Sequence, residues 1–166
     1  MPVVIRPATD ADVPLIRTLI EGLADYERLR HECQATDEQL QASLFGDRPY
    51  AEVVIAEWEG AAAGFALFFH NYSTFLARPG IYLEDLFVQP DFRGRGIGTA
   101  LLSHLAQVAV ARGCGRLEWS VLDWNVDAIR FYERLGARPQ SEWTVHRVTG
   151  EALDRLATIT GAPDVS

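Results

Sequence analysis

A chain of 166 residues with 48% hydrophobic and 23% charged residues is long enough for a full core and too short for two ordinary domains. Fifteen basic residues, every one arginine, against 23 acidic ones leave a formal charge of −8. That balance argues against a nucleic-acid partner and weakly favours cationic ligands. No apolar run reaches membrane-span length, no basic apolar leader opens the chain, and Cys33 and Cys114 make neither a disulfide framework nor a zinc set. The expectation is a cytoplasmic, metal-free protein with one domain over 1–160 and a flexible tail over 161–166.

In chain order, residues 3–6 read as a short strand. Thr9 and Asp12 have N-cap spacing, and Val13, Ile16, Leu19, Ile20 and Leu23 predict the buried face of a helix to about Tyr26. Residues 27–35 are polar and predict a loop, and Thr36 with Gln39 forms a capping-box pattern for a second helix through Leu44. Strands over 53–57 and 63–69 flank a Glu59-Gly60 turn, and a loop over 71–80 leads to a strand over 81–88. Ile97, Leu101, Leu102, Leu105 and Val108 mark a helix that Gly113 ends. A strand over 116–122, a helix from Asn125 to Gly136, a last strand over 142–148 and a helical turn over 151–157 complete the reading. This order predicts an α/β fold, a mixed central sheet with helices on both faces.

The strand over 81–88 runs into Arg93-Gly94-Arg95-Gly96-Ile97-Gly98, which opens the next helix. Glycines leave backbone N–H groups uncovered, and the helix start adds roughly half a positive charge. With two arginines, such a turn suits a diphosphate; tight packing is the alternative use of a glycine-rich turn. The P-loop pattern is excluded because the chain has no lysine, and the dinucleotide pattern G-x-G-x-x-G closes one residue early.

The turn does match Arg/Gln-x-x-Gly-x-Gly/Ala, and residues 125–136 match N-x-x-A-x-x-F-Y-x-x-x-G. With both motifs in order, the chain resembles the GCN5-related N-acetyltransferases over about residues 3–148. The resemblance implies the acyl-CoA N-acyltransferase fold, with acetyl-CoA as acetyl-donor co-substrate and no metal. It also implies that Arg93, Gly94, Arg95, Gly96, Ile97, Gly98 and Thr99 grip the pyrophosphate. Leu86, Phe87 and Val88 would bind the pantetheine arm through their backbone, along an edge splayed from the following strand. Asn125, Ala128 and Tyr132 would complete the coenzyme site, Asn125 serving as N-cap, pantetheine contact or both.

Acetyl transfer to an amine needs a proton acceptor, an oxyanion donor and an acid for the leaving thiolate. A tyrosine hydroxyl is protonated at neutral pH, and the resemblance places Tyr132 near the coenzyme sulfur; packing with Ile129 is the plainer role. Glu84 and Asp85 are the carboxylate candidates, Glu84 as base and Asp85 as substrate-attracting charge. On a regular strand they point to opposite faces, a rule that a β-bulge relaxes.

Five segments, including Leu23-Ala24-Asp25-Tyr26-Glu27 and Tyr82-Leu83-Glu84-Asp85-Leu86-Phe87-Val88, are most similar to the diamine (spermidine/spermine) and thialysine acetyltransferases. That likeness implies an amine site of Tyr26, Glu27, Glu84, Asp85, Glu142 and Trp143, and a homodimer. The expected activity is acetyl transfer to a primary amine of a small cationic acceptor, polyamine or lysine-like, by direct attack in a ternary complex. The alternatives are acetylation of a protein or peptide, and a non-catalytic acyl-CoA-binding domain. Trp119 and Trp124 either cover apolar surface or line the amine pocket, and the four histidines have no metal or triad spacing.

Overall fold

The computed structural model describes residues 2–159; the expected tail over 161–166 lies outside the described residues. The chain forms two compact units, Met1–Asp123 and Trp124–Ser166. The first contains β1 (Val3–Pro7), α1 (Val13–Tyr26), α2 (Asp37–Phe45), β2 (Glu52–Trp58), β3 (Ala61–Ser73), β4 (Arg78–Val88), α3 (Ile97–Ala111) and β5 (Leu117–Trp119). The second contains α4 (Val126–Arg134) and α5 (Gly150–Ala157).

The strands form one mixed sheet in sequence order. β1 to β4 are antiparallel neighbours, and β5 joins β4 in parallel. A parallel neighbour requires a crossover, which α3 supplies. Glu59 and Gly60 both take positive φ, 50° and 85°, the twist-compatible turn their sequence predicts for the β2–β3 hairpin.

Alternation along the strands divides the core between two faces. Val53, Ile55, Phe65 and Phe87 cluster with Val13, Ile16, Leu19 and Leu23 of α1 and Leu40 and Leu44 of α2. The intervening residues Val54, Ala56, Ala66 and Phe68 are also buried, and α3 packs on β1, β3 and β4 with Ile97, Leu101, Leu102 and Leu105 buried. The Thr36–Gln39 capping box forms, with Gln39 N–H donating to Thr36 Oγ1 at 3.2 Å and Thr36 N–H to Gln39 Oε1 at 3.0 Å. At the other cap, Thr9 N–H donates to Asp12 Oδ2 at 2.8 Å. Asp12 also takes Arg6 of β1 in a bidentate pair at 2.8 and 2.9 Å. That guanidinium holds the Asp12 carboxyl down at about 2.

Three expectations need correction. The loop over 71–80 is confined to residues 74–77, because the β3–β4 ladder continues to Ser73 opposite Arg78. Backbone pairing there runs past the point where the apolar alternation stops. The strand over 116–122 is reduced to Leu117–Trp119, which pair with Ile81–Leu83 of β4. Residues 142–148 form no strand. Trp143 and Val145 are exposed there, and among the described residues the second unit has no other strand whose backbone could pair with them.

Candidate active site

The site begins with an irregularity in β4. Leu67 pairs with Asp85, but the next residue of β3, Phe68, pairs with Leu83. Glu84 is therefore the extra residue of a β-bulge, and strict alternation is broken between Leu83 and Asp85. Asp85 shares a face with its partner Leu67, which packs against the α1–α2 core.

The C-terminal end of α1 brings further groups to this place. The helix closes with Arg28 N–H on Asp25 O at 3.1 Å and Leu29 N–H on Ala24 O at 2.8 Å. Arg28 carries the left-handed turn, φ 62°, where glycine is the usual residue. This closure sets Tyr26 in the last helical turn and Glu27 immediately after it.

Glu27, Glu84 and Asp85 form one electrostatic neighbourhood. Burial, then the charge of Glu84, then that of Glu27, raise the Asp85 carboxyl from its ordinary 3.8 to about 7. Burial and Glu84 also raise Glu27. Glu84 itself is exposed and Asp85 half-buried, so the cluster reaches from solvent into the sheet.

The same stretch of β4 loses its second neighbour. Pairing with β5 ends at Leu83 opposite Trp119, while β4 continues to Val88 with β3 on its other side. The Tyr82 and Ser120 hydroxyls lie 2.7 Å apart where the two strands part. Glu84–Val88 thus presents one edge of backbone N–H and C=O groups outside the β4–β5 ladder, open to pairing with an extended chain.

The glycine-rich turn follows directly. Gly94 and Gly96 have φ 78° and 77°, and a Cβ built on either would meet nothing within 4 Å. Their bare Cα atoms therefore serve backbone conformation and open space, and they fill no packing contact. The first ladder bond of α3 runs from Ala100 N–H to Gly96 O at 3.0 Å, so the N–H groups of Ile97, Gly98 and Thr99 precede the ladder. A helix start with a bare, left-handed glycine turn fits the diphosphate of acetyl-CoA.

Two stacked cations flank the turn. Arg93 Cζ lies 4.9 Å from the Tyr26 ring centroid and 5.7 Å from that of Phe87, and its Nε donates to Val88 O at 3.1 Å. Arg95 Cζ lies 5.2 Å from the Trp58 ring centroid and 5.5 Å from that of Phe92. Among the described residues neither arginine has a carboxylate within ion-pair distance. Trp58, Phe92 and Gly22, whose missing Cβ admits the Phe87 ring, escape a sequence reading. The available signal was two arginines at i and i+2 with no acidic residue between Phe92 and Ser120 except Glu118.

The first unit accordingly gathers Tyr26, Glu27, Glu84, Asp85 and Arg93. Leu86 and Val88 are half-buried on β4, Phe87 packs in the core, and Thr99 is exposed in the first turn of α3. In the second unit, Asn125 caps α4, its Oδ1 accepting from Ala128 N–H at 3.4 Å. Tyr132 lies on the same helix, its ring 5.5 Å from that of Phe131. Glu142 and Trp143 are exposed in the segment that forms no strand. Among the described residues no group of three or more His, Cys, Asp or Glu is placed to hold a metal, and no helix is long and apolar enough to cross a membrane.

Residues 17–137 match the model of the acetyltransferase (GNAT) family. A Bos taurus thialysine N-epsilon-acetyltransferase is 39% identical, covering 93% of this chain and 97% of its own. The Arabidopsis thaliana L-ornithine N5-acetyltransferase NATA1 is 36% identical over 92% of this chain and 86% of its own. Among solved structures, an integron cassette protein from the mobile metagenome of V. cholerae superposes with a TM-score of 0.80 and 29% identity, covering 96% of this chain and 99% of its own. By its sheet, its turn and these relatives, the chain belongs to the acetyltransferase (GNAT) family and is an N-acetyltransferase.

Proposed function

We propose that the protein transfers the acetyl group of acetyl-CoA to a primary amine of a small cationic acceptor, polyamine or lysine-like, by direct attack in a ternary complex. The observation that carries this reading is the convergence of Glu27, Glu84 and Asp85 beside the splayed edge of β4. Three carboxylates sharing one site repel each other, and a cationic ligand relieves that repulsion. The relatives named for thialysine and ornithine support an acceptor of this kind.

The amine arrives as a cation, drawn by exposed Glu84, and must lose a proton before its nitrogen attacks the thioester carbonyl. Asp85, with its carboxyl near 7, is suited to accept that proton, because a general base works best with a value close to the operating pH. Glu84, directly or through water, is the second candidate for the same step. The new C–N bond forms as the C–S bond breaks, the developing oxyanion is stabilised by backbone N–H on β4, and the thiolate leaves with a proton from Tyr132, which regains one through solvent as the acylated nitrogen loses its second proton. Gly94–Thr99, with Arg95, hold the pyrophosphate end. Leu86, Phe87, Val88, Asn125 and Ala128 hold the pantetheine, while Tyr26, Glu142 and Trp143 add to the amine side. We further propose a cytoplasmic homodimer, in keeping with the exposed Trp143, Val145, Leu153 and Leu156 of the second unit.

The test is thiol release from acetyl-CoA with spermidine, thialysine, ornithine, lysine and a short peptide as acceptors. Turnover is expected with one or more of the small amines. Turnover with the peptide alone would replace this reading by protein acetylation, and coenzyme binding without turnover on any acceptor would remove the assigned acceptor class.

A further inference from the structure

We propose that Arg93 is a positioning residue, bracing the amine-side wall at Tyr26 against the coenzyme strand, and that its charge is not the principal counter-ion of the diphosphate. The proposal rests on the functional reading above and deepens it, since the motif alone assigns Arg93 to the phosphate.

The geometry points away from the phosphate turn on three counts. Arg93 Nε is spent on Val88 O, the last carbonyl of β4, at 3.1 Å. Its guanidinium lies over the Tyr26 ring at 4.9 Å and within 5.7 Å of the Phe87 ring centroid. Arg95, two residues on, leans the other way, over Trp58 and Phe92. The two cations of the motif therefore diverge, and only one is directed to the end of α1.

A column results, from α1 to β4 and back. Gly22 has no side chain, so the Phe87 ring comes to within 2.9 Å of where its Cβ would be. Phe87 supports Arg93, and Arg93 covers Tyr26 one helical turn beyond Gly22. Glu27 follows Tyr26 and shares the carboxylate neighbourhood of Asp85. Moving Arg93 would loosen Tyr26 and Glu27 relative to Glu84 and Asp85, with the turn at Gly94 and Gly96 left as it is. A planar guanidinium can stack and donate from Nε at once, whereas a lysine ammonium supplies the charge without that geometry.

The charge-retaining variant Arg93→Lys separates the two roles. Coenzyme A affinity is measured by calorimetry, and kcat and KM are measured for the best small amine, in wild type, Arg93→Lys, Arg93→Gln, Tyr26→Leu and the Arg93→Lys/Tyr26→Leu double variant. Coenzyme affinity within threefold of wild type in both Arg93 variants also shows that they fold. The expected result is a fall of tenfold or more in kcat/KM for the amine in Arg93→Lys, a comparable fall in Tyr26→Leu, and a double variant no more than twofold below the worse single one. The role is overturned if Arg93→Lys retains full amine activity, if Arg93→Gln alone loses coenzyme affinity by tenfold or more, or if the two losses multiply in the double variant. Wild-type protein that binds no coenzyme A would overturn the functional reading as well, an outcome distinct from a working wild type beside a fully active Arg93→Lys.

Discussion

Asp85 lies opposite Leu67 across the β3–β4 ladder, on the face that α1 and α2 cover. That pairing puts an acid where its neighbours supply apolar contacts, and burial is the largest cause of its raised value of about 7. The sign of the stability effect follows. Below about pH 4 the carboxyl is protonated in both folded and unfolded chains. Between about pH 4 and 7 the unfolded chain has released the proton and the folded chain retains it, so stability falls as pH rises. Asp85→Asn removes this slope. The variant is expected to be more stable than wild type at pH 8, by on the order of a few kcal/mol and with a higher melting temperature, and to match it near pH 4. Equal melting temperatures at both pH values would contradict the burial of this acid.

Binding of a cation reverses the same effect. An ammonium beside this cluster favours the ionised form of Asp85, so amine binding near pH 6.5 is expected to release protons, roughly half of one per site or more. Calorimetric titration in two buffers of different ionisation enthalpy reads this directly. Heats that do not depend on the buffer would place the amine away from Asp85.

The turn makes a separate forecast for its three glycines. Gly94 and Gly96 occupy left-handed backbone, where an alanine costs about 1–2 kcal/mol. Gly98 lies in the helix with only Val88 Cγ2 at 4.0 Å from an added Cβ, an ordinary contact. Urea unfolding should therefore show Gly94→Ala and Gly96→Ala destabilised and Gly98→Ala neutral or more stable, since alanine is the better helix former by about 1 kcal/mol. Coenzyme affinity is expected to fall in the first two.

Tyr132→Phe removes one hydroxyl and keeps the ring. If that hydroxyl protonates the leaving thiolate, turnover falls tenfold or more while coenzyme affinity stays within about twofold. Unchanged turnover would leave Tyr132 a packing residue of α4 beside Phe131.

Gly22 is a packing test. Alanine there gains about 1 kcal/mol of helix propensity, but its Cβ would stand 2.9 Å from Phe87 Cε2 and 3.0 Å from Cζ. The Phe87 ring is buried, and overpacking costs about 1–3 kcal/mol. A net loss of stability in Gly22→Ala is expected; a rise in the urea midpoint would mean that the ring moves freely.

Most of the first unit was readable from local signals. The faces of α1 and α3, the Thr36–Gln39 box, the Glu59-Gly60 turn and the Arg93–Gly98 run are set by residues within a few positions of each other, so periodicity and capping rules reach them. The same local rules mislead where pairing decides. The alternating residues over 116–122 satisfy the strand pattern, yet the paired strand stops at Trp119. Those over 142–148 satisfy it and form no strand, because a strand exists only through a neighbour's backbone.

The sequence by itself determined most element types of the first unit, the two motifs and the acidic character of the chain, since each depends on residues close in sequence or on composition alone. It named Tyr26, Glu27, Glu84 and Asp85 as candidates but left their meeting open. The tertiary structure decided that, through a one-residue slip at Glu84 in the β3–β4 register and through the closure of α1 at Arg28. Both are cooperative outcomes of long-range pairing and packing, and so was the stacking of Arg93 on Tyr26, which joins residues 67 positions apart.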